Sequence, residues 1–480
     1  HFMRFLLKDS SKAFSLSCIA IVLFFSYGHF YLAYSSSKIS SHLPISPRLL
    51  MFGVYFLLSL AGLFLVLKSR YKHQIRQFFL ICSLVVFVMP IIKIIPGEIL
   101  EQYMKVRMDS YIRSNEKTIA ITNKDASTYP NIIYIIYDRY ARSDILTSYF
   151  DFDNSSHIKR LGSSGFITVS NAYANYPTTY LSLASSLNMS HLTYLDSMFG
   201  SSYRGRWLIY NRLLQTSTVA TFLKQQGYRY FQLGSSWDGT KDSPLADENI
   251  NQFEGTNQLS SYIYENSFLN ALMGLLFHKQ TFFGVTSLEN HIKNVQLKRN
   301  RLALLASDEG PYFAFAHFLI PHPPNLLKPD CTPFTFEQIR ARKEEDTYID
   351  ELKCANKMME ELALKVEKGS RRPTVVIFQS DEGPYLPKRY FGDQQMPDPL
   401  TAKAIKIHGP ILLSIKAPET AYTKGTGEKY SYPKTPINIF PTILNYYFGS
   451  SIQHKSDRSY IAEDEKRPYH FIEITDILNK

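Results

Sequence analysis

Three long runs without formal charge crowd the first hundred residues, and they constrain the chain more than any other feature. No Asp, Glu, Lys or Arg lies between Lys12 and Lys38, and the stretch AFSLSCIAIVLFFSYGHFYLAY is long enough to cross a bilayer. LLMFGVYFLLSLAGLFLVL, Leu49–Leu67, is uncharged and sits between Arg48 and Lys68. FFLICSLVVFVMPIIKIIP, Phe78–Pro96, carries only Lys93, near an end where its side chain can reach the headgroups. A soluble helical core has no need of three such runs in succession. The expectation is a three-helix transmembrane unit over residues 1–96, with spans at about 13–34, 49–67 and 78–96. No small-residue cleavage site follows the first run, so it does not read as a removed signal peptide.

Lys and Arg set the orientation. Arg4, Lys8 and Lys12 precede the first span, and Lys68, Arg70, Lys72 and Arg76 fill the loop between the second and third. Only Lys38 and Arg48 lie between the first and second. The basic segments belong on the cytoplasmic side, which puts everything after Pro96 outside. Residues 97–128 begin with GEILEQYMKVRMDSYIRSNEK, whose mixed charge and helical spacing suit a juxtamembrane helix and linker.

The net charge is +11, from 53 Lys and Arg against 42 Asp and Glu. Without long basic runs or a nucleic-acid motif, that balance points to a membrane face and an anionic substrate, not to nucleic acid. Of four cysteines, Cys18 and Cys82 lie in apolar runs. Cys331 and Cys354 lie in the polar part, 23 positions apart, and can pair if that part is extracytoplasmic, which spacing alone leaves open. No Cys-x-x-Cys or Cys/His cluster suggests zinc.

From residue 129 to 480 the pattern alternates. NIIYIIY (Asn131–Tyr137), YRYFQLG, PYFAFAHFLIP, PTVVIFQ and PILLSIKA read as strands, and a charged helix spans about Phe336–Lys368. The expectation is an α/β domain with a mostly parallel sheet, whose ligands sit beyond the carboxyl ends of the strands. That rule separates two copies of SDEGPY. Ser307–Tyr312 follows a helical run and precedes a strand, so Asp308 and Glu309 belong to a turn. Ser380–Tyr385 follows PTVVIFQ directly, which puts Asp381 and Glu382 at a carboxyl edge. Asp138 follows NIIYIIY without a gap and reaches a second such edge. Two acidic strand ends make a divalent-cation site, although a single Asp there often only caps the next helix. NYPTTYLSLASSLNMSHL, Asn175–Leu192, offers Thr178 or Thr179 at a helix N-terminus, either as N-cap or as a nucleophile in the positive field of the helix.

The ordered motifs YIIYDRYARSD, NYPTTYLSLASSLNM, FAHFLIPHPPN, VVIFQSDEGPY and PINIFPTILNYYFG resemble the sulfatase-like branch of the alkaline phosphatase superfamily, over residues 129–480. With a membrane unit in front, the chain is similar to lipoteichoic acid synthases and lipid A phosphoethanolamine transferases. The resemblance implies an α/β/α sandwich and a plasma (inner) membrane protein of a bacterium. It implies transfer of a phosphoglycerol- or phosphoethanolamine-type headgroup from a phospholipid onto an envelope glycan or lipid. Asp138 matches the first acidic metal ligand, Thr179 the nucleophile and a ligand, Asp381 the second strand-end ligand, and His322 a substrate-phosphate histidine. Thr178 is the fallback nucleophile, Ser182 and Asn188 follow at suitable spacing, and Trp237 matches an aromatic wall of the headgroup pocket. His317, inside its strand, reads as core. The loop Tyr203–Asn211, with Arg204 and Arg206, is a place for an acceptor without a readable code.

Two departures stand out. Formylglycine sulfatases carry Cys or Ser in C/S-x-P/A-x-R, and no Cys lies near residues 175–192, which disfavours sulfate-ester hydrolysis. Relatives read Asp-His-Gly where this chain has Asp381-Glu382-Gly383. Glu382 in place of His makes the expected ligand set all oxygen, favouring Mn²⁺, Mg²⁺ or Ca²⁺ over Zn²⁺. A hydrolase that uses water as acceptor shares the same first half-reaction and stays open, and the Glu382 change leaves open an inactive scaffold of envelope-glycan machinery.

Overall fold

The computed structural model describes the chain except residues 1, 36–46, 115–118, 201–205, 252–262, 265, 270–271, 273–281, 385–400, 418–432, 465–466 and 480. Two compact units result: His1–Ile99 with Phe253–Asn290, and Leu100–Gln252 with His291–Lys480. The first holds helices α1 (Ser10–Ser35) and α2 (Pro47–Lys68) and most of α3 (Lys72–Ser114). All three are long and apolar enough to cross a membrane. Leu57, Leu65, Val86 and Phe87 are exposed on them, a surface that water would penalise. The third apolar run and the charged segment after it are one continuous helix of 43 residues.

The second unit is built on seven strands. In chain order its further elements are β1 (Asn131–Tyr137), β2 (Ile167–Thr168), α4 (Thr179–Asn188), β3 (Arg229–Leu233), β4 (Glu248–Ile250), α5 (Phe282–Leu305, its first residues falling in the other unit), β5 (Tyr312–Phe318), α6 (Glu344–Gly369), β6 (Thr374–Gln379), α7 (Ala402–His408), β7 (Leu413–Lys416), α8 (Ile439–Phe448), and a hairpin of β8 (Tyr460–Asp464) and β9 (Arg467–Glu473). The sheet order is β2-β7-β6-β1-β5-β3-β4. β1 pairs parallel with both β5 and β6, β3 pairs parallel with β5 and β4, and β7 runs antiparallel to its two neighbours.

The central strands are buried on both faces, as their unbroken apolar sequences require. Alternation sorts their side chains into two cores. Ile132, Tyr134, Ile136, Phe313 and Phe315 face the core that contains α4 and α8. Ile133, Ile135, Tyr137, Ala316 and Phe378 face the core that contains α6. Helices therefore cover both faces of the sheet, in the α/β/α arrangement expected.

The first SDEGPY copy is a turn: Asp308 pairs with Arg229 and accepts the Gly310 amide, and Glu309 meets Arg371 at the surface. Cys331 and Cys354 are joined by a disulfide that ties the segment after β5 to α6.

Candidate active site

Strand register decides which side chains meet. Ile136 lies opposite His317 on β5 and opposite Gln379 on β6. Counting in twos from that level puts Asp138, His317 and Asp381 on one face, at the adjoining carboxyl ends of three neighbouring strands. All three are buried, and one ligand atom from each lies within 4.8 Å of the others. His317 Nε2 is 3.4 Å from Asp138 Oδ2. The same face receives α4, whose first residue is Thr179. Thr179 stands close enough to Asp381 to pull the pKa of its carboxyl down.

The loop into α4 is pinned from both sides. Asn175 donates its amide to the Arg458 carbonyl and accepts from the Ile437 N–H, at 2.9 Å each. Thr178 is the N-cap, yet its hydroxyl makes no cap bond and is buried without a partner, as is that of Ser182 one turn on. Asn188 closes the other end of α4 against Leu213 and Thr218, away from Thr179.

The electrostatics ask for a cation. Asp138 Oδ1, Asp381 Oδ2 and His317 Nε2 are buried without hydrogen-bond partners, which is costly for polar atoms. Burial, then Asp138 and Glu382, push the Asp381 carboxyl well above the carboxylate range. Burial also raises Asp138, but His317, His322 and Arg139 outweigh it and hold that carboxyl low. His317 Nδ1 lies 2.7 Å from Thr240 Oγ1. If Nδ1–H donates there, the Nε2 lone pair faces the two aspartates, the arrangement of a metal-binding imidazole. Burial lowers the pKa of the ring and favours that neutral form. The three residues, with Thr179 beside them, fit a divalent cation.

His317 is thus both a core residue and a member of this group. Counting parity back from Asp138 is the signal that finds it. Glu382 is placed differently. Its carboxylate pairs with the Arg139 guanidinium at 3.0 Å, both side chains being mostly buried. Burial raises the Glu382 carboxyl to about 7 against the pull of Arg139. Arg139 holds φ of +60°, and its N–H reaches Asp381 Oδ1 at 3.2 Å. Its signal in the sequence was complementary charge: Arg directly after one strand-end Asp, Glu directly after the other. Gly383 follows because a Cβ there would stand 2.2 Å from the Ile407 carbonyl.

His322 lies on the loop after β5, its Nδ1 bonded to the Pro323 carbonyl. It is close enough to Asp138 and Arg139 to feel their charges, while burial lowers its pKa. Trp237 packs edge-on against the His317 ring at 6.1 Å and stacks with Tyr180, the residue after Thr179, at 6.5 Å. Arg206 starts a helix and lies over Trp207, whereas Arg204 and Tyr385 fall outside the described residues.

A mostly parallel sheet with this group at its carboxyl edge defines an alkaline-phosphatase-like fold. The family model described as Sulfatase matches residues 130–450, more than half of the chain, and the chain belongs to that family. No curated protein matches the sequence. Among solved structures, the C-terminal periplasmic domain of EptC from Escherichia coli is similar at 12% identity, covering 74% of this chain and 96% of that one, with a TM-score of 0.45. The integral membrane lipooligosaccharide phosphoethanolamine transferase EptA from Neisseria meningitidis is similar at 11%, covering 92% and 83%, with a TM-score of 0.41. BT1596, a 2-O GAG sulfatase, is similar at 14%, covering 68% and 72%, with a TM-score of 0.40. With identities and TM-scores this low, family membership rests on the family match.

Proposed function

We propose that the chain is a membrane-anchored, metal-dependent transferase that moves a phospho-headgroup from a membrane phospholipid onto an envelope glycan or lipid, with Thr179 as nucleophile. The observation that carries the reading is the group of three buried ligand atoms without partners, with Thr179 next to Asp381 at the start of α4. Asp138, His317 and Asp381 would hold the cation with Thr179, and it supplies Lewis acidity that activates a hydroxyl and screens phosphoryl oxygens. With His317 in the group the all-oxygen argument against Zn²⁺ no longer holds, and an imidazole among carboxylates favours Zn²⁺ or Mn²⁺ over Mg²⁺ or Ca²⁺.

The residues divide the remaining work. Asp381 orients the Thr179 oxygen toward phosphorus. The amides at the start of α4 and its dipole favour the anionic headgroup. A bond forms from Thr179 Oγ1 to phosphorus, and the bond from phosphorus to the diacylglycerol oxygen breaks. The Thr179 proton goes to water, and His322, whose Nδ1–H is committed to the Pro323 carbonyl, gives the leaving oxygen the Nε2 proton that it carries as the imidazolium. Arg139 adds positive charge near the non-bridging oxygens. In the second half, the Nε2 of the now neutral His322 takes the proton of an acceptor hydroxyl as that oxygen bonds to phosphorus, and the bond from phosphorus to Thr179 Oγ1 breaks, with Oγ1 regaining a proton from water. Trp237 and Tyr180 form an aromatic wall for the headgroup. The apolar helices α1–α3 keep the chain at the lipid from which the donor comes, in the plasma membrane of a bacterium, with the second unit outside it.

The test is the mass of the protein purified from its native membranes, intact and after digestion around Thr179. A phosphodiester adduct on Thr179 is expected, and its mass names the headgroup. Thr179→Ala should lose the adduct and turnover, by about a thousandfold or more, while folding normally. Headgroup release without an adduct indicates a hydrolase. Neither adduct nor release, after adding phospholipid and Mn²⁺ without acceptor, overturns the reading.

A further inference from the structure

A buried carboxylate that the proposed chemistry does not use lies one layer behind the site. Glu351, on α6, is fully buried and accepts three hydrogen bonds. The Asn325 amide and the Leu326 N–H reach it at 2.9 Å, and the Leu327 N–H at 3.2 Å. Asn325 Nδ2 also reaches the Pro321 carbonyl at 2.9 Å. These contacts bracket His322 from both sides: Pro321 just before it, and Asn325 to Leu327 just after.

The same helix holds the turn that follows β1. Tyr348, one turn before Glu351, accepts the Ala141 N–H at 3.1 Å and donates its hydroxyl to the Arg139 carbonyl at 2.9 Å. Cys354, three residues after Glu351, carries the disulfide to Cys331 at the far end of the His322 segment. Positions 348, 351 and 354 recur every three residues along one side of α6. Each fastens a different piece of backbone next to the site.

We infer that Glu351 is a positioning residue for His322, with α6 acting as a template that sets the His322 loop in register with the Asp138–Arg139 turn. The inference rests on the proposed role of His322. A carboxyl group suits the task because its two oxygens collect two consecutive backbone amides and a side-chain amide at once. A hydroxyl or an apolar side chain would leave those buried donors unmet.

The experiment uses the full-length chain in detergent, disulfide intact, with bis(4-nitrophenyl) phosphate and Mn²⁺ as probe. Glu351→Ala should lower kcat by about tenfold or more and change KM by less than about threefold. In a His322→Ala background the same substitution should cost less than about twofold, because its route of action is already gone. Glu351→Gln, which keeps an acceptor oxygen, should recover part of the loss. Equal losses in both backgrounds would mean a merely structural role and overturn the inference. The second readout is the carbethoxylation rate of His322 by diethyl pyrocarbonate, with His454 as internal reference. It should rise about fivefold in Glu351→Ala as the loop loosens, and an unchanged rate overturns the inference. If Glu351→Ala does not fold, Asn325→Ala removes one of the three donors and is read in the same way. If the wild type fails to turn over the diester, the proposed function falls, and the carbethoxylation rate alone decides whether Glu351 holds the loop.

Discussion

Three carboxylates meet at this site, and Arg139 makes that tolerable. Asp138, Asp381 and Glu382 are all buried, and Arg139 touches two of them, one through its amide and one through its guanidinium. Removing one partner of a buried pair leaves the other as an uncompensated charge. Arg139→Met should therefore cost about 3–5 kcal/mol, and adding Glu382→Leu should return most of it. Thermal melts of the single and double variants check this, and a double variant as unstable as the single one overturns it. Lys298 on α5 is a second buried charge, donating to the His317 carbonyl and lying over the Phe318 ring. Burial lowers its pKa to about 7, far below an exposed lysine. Between pH 7 and about 10.5 the unfolded chain then binds more protons than the folded one, so this group makes stability rise with pH across that window. Below pH 7 the full cost of burying the ammonium is present. Lys298→Met should flatten the rise, which otherwise approaches about 1.4 kcal/mol per pH unit at most. Melting temperatures of both forms across that range are the measurement.

Elements explain what could be read from the chain and what could not. Apolar runs ending in acid, NIIYIIY-Asp138 and PTVVIFQ-Ser380-Asp381, carry their own boundaries, so the strands and the acidic edges were legible locally. The three apolar helices were legible for the same reason. His317 was half-legible: its burial follows from its strand, but its membership of the cation group depends on β1 and β5 being neighbours in a fixed register. The Arg139–Glu382 pair depends likewise on β1 lying beside β6. Glu351 was not legible at all, because a glutamate in a charged helix looks solvated until the helix is docked. The disulfide is of the same kind, since spacing allowed it and only the fold brings its ends together. It closes a segment 23 residues long, so Cys354→Ser should cost about 3 kcal/mol by loop entropy. The loss should fall mainly on the His322 segment, and hydrogen exchange of residues 320–335 reads it directly. Uniform exchange change over the whole domain would contradict that localisation.

At the scale of the molecule, the cation site is a seam between strands far apart in sequence. Asp138 follows β1, His317 is on β5, Asp381 follows β6, and Thr179 starts a helix that belongs to the core on that face of the sheet. The seam keeps Asp138, His317 and Asp381 buried with unmet atoms, and burial beside Asp138 and Glu382 pushes the Asp381 carboxyl well above the carboxylate range. Binding that is specific to the folded state adds stability by mass action, about 2.7 kcal/mol at one hundred times the Kd. Stripping the full-length protein with EDTA should therefore lower its melting temperature, and Mn²⁺ should restore it. Mg²⁺ should restore less, because it accepts the imidazole of His317 poorly. Asp381→Asn removes one ligand charge and relieves the carboxylate repulsion, so that variant should melt at or above the stripped wild type and gain little from Mn²⁺. The two effects have opposite signs, which separates loss of a ligand from general damage to the fold. A wild type that melts at one temperature with and without Mn²⁺ would mean that the unpartnered atoms of Asp138, His317 and Asp381 do not hold a cation.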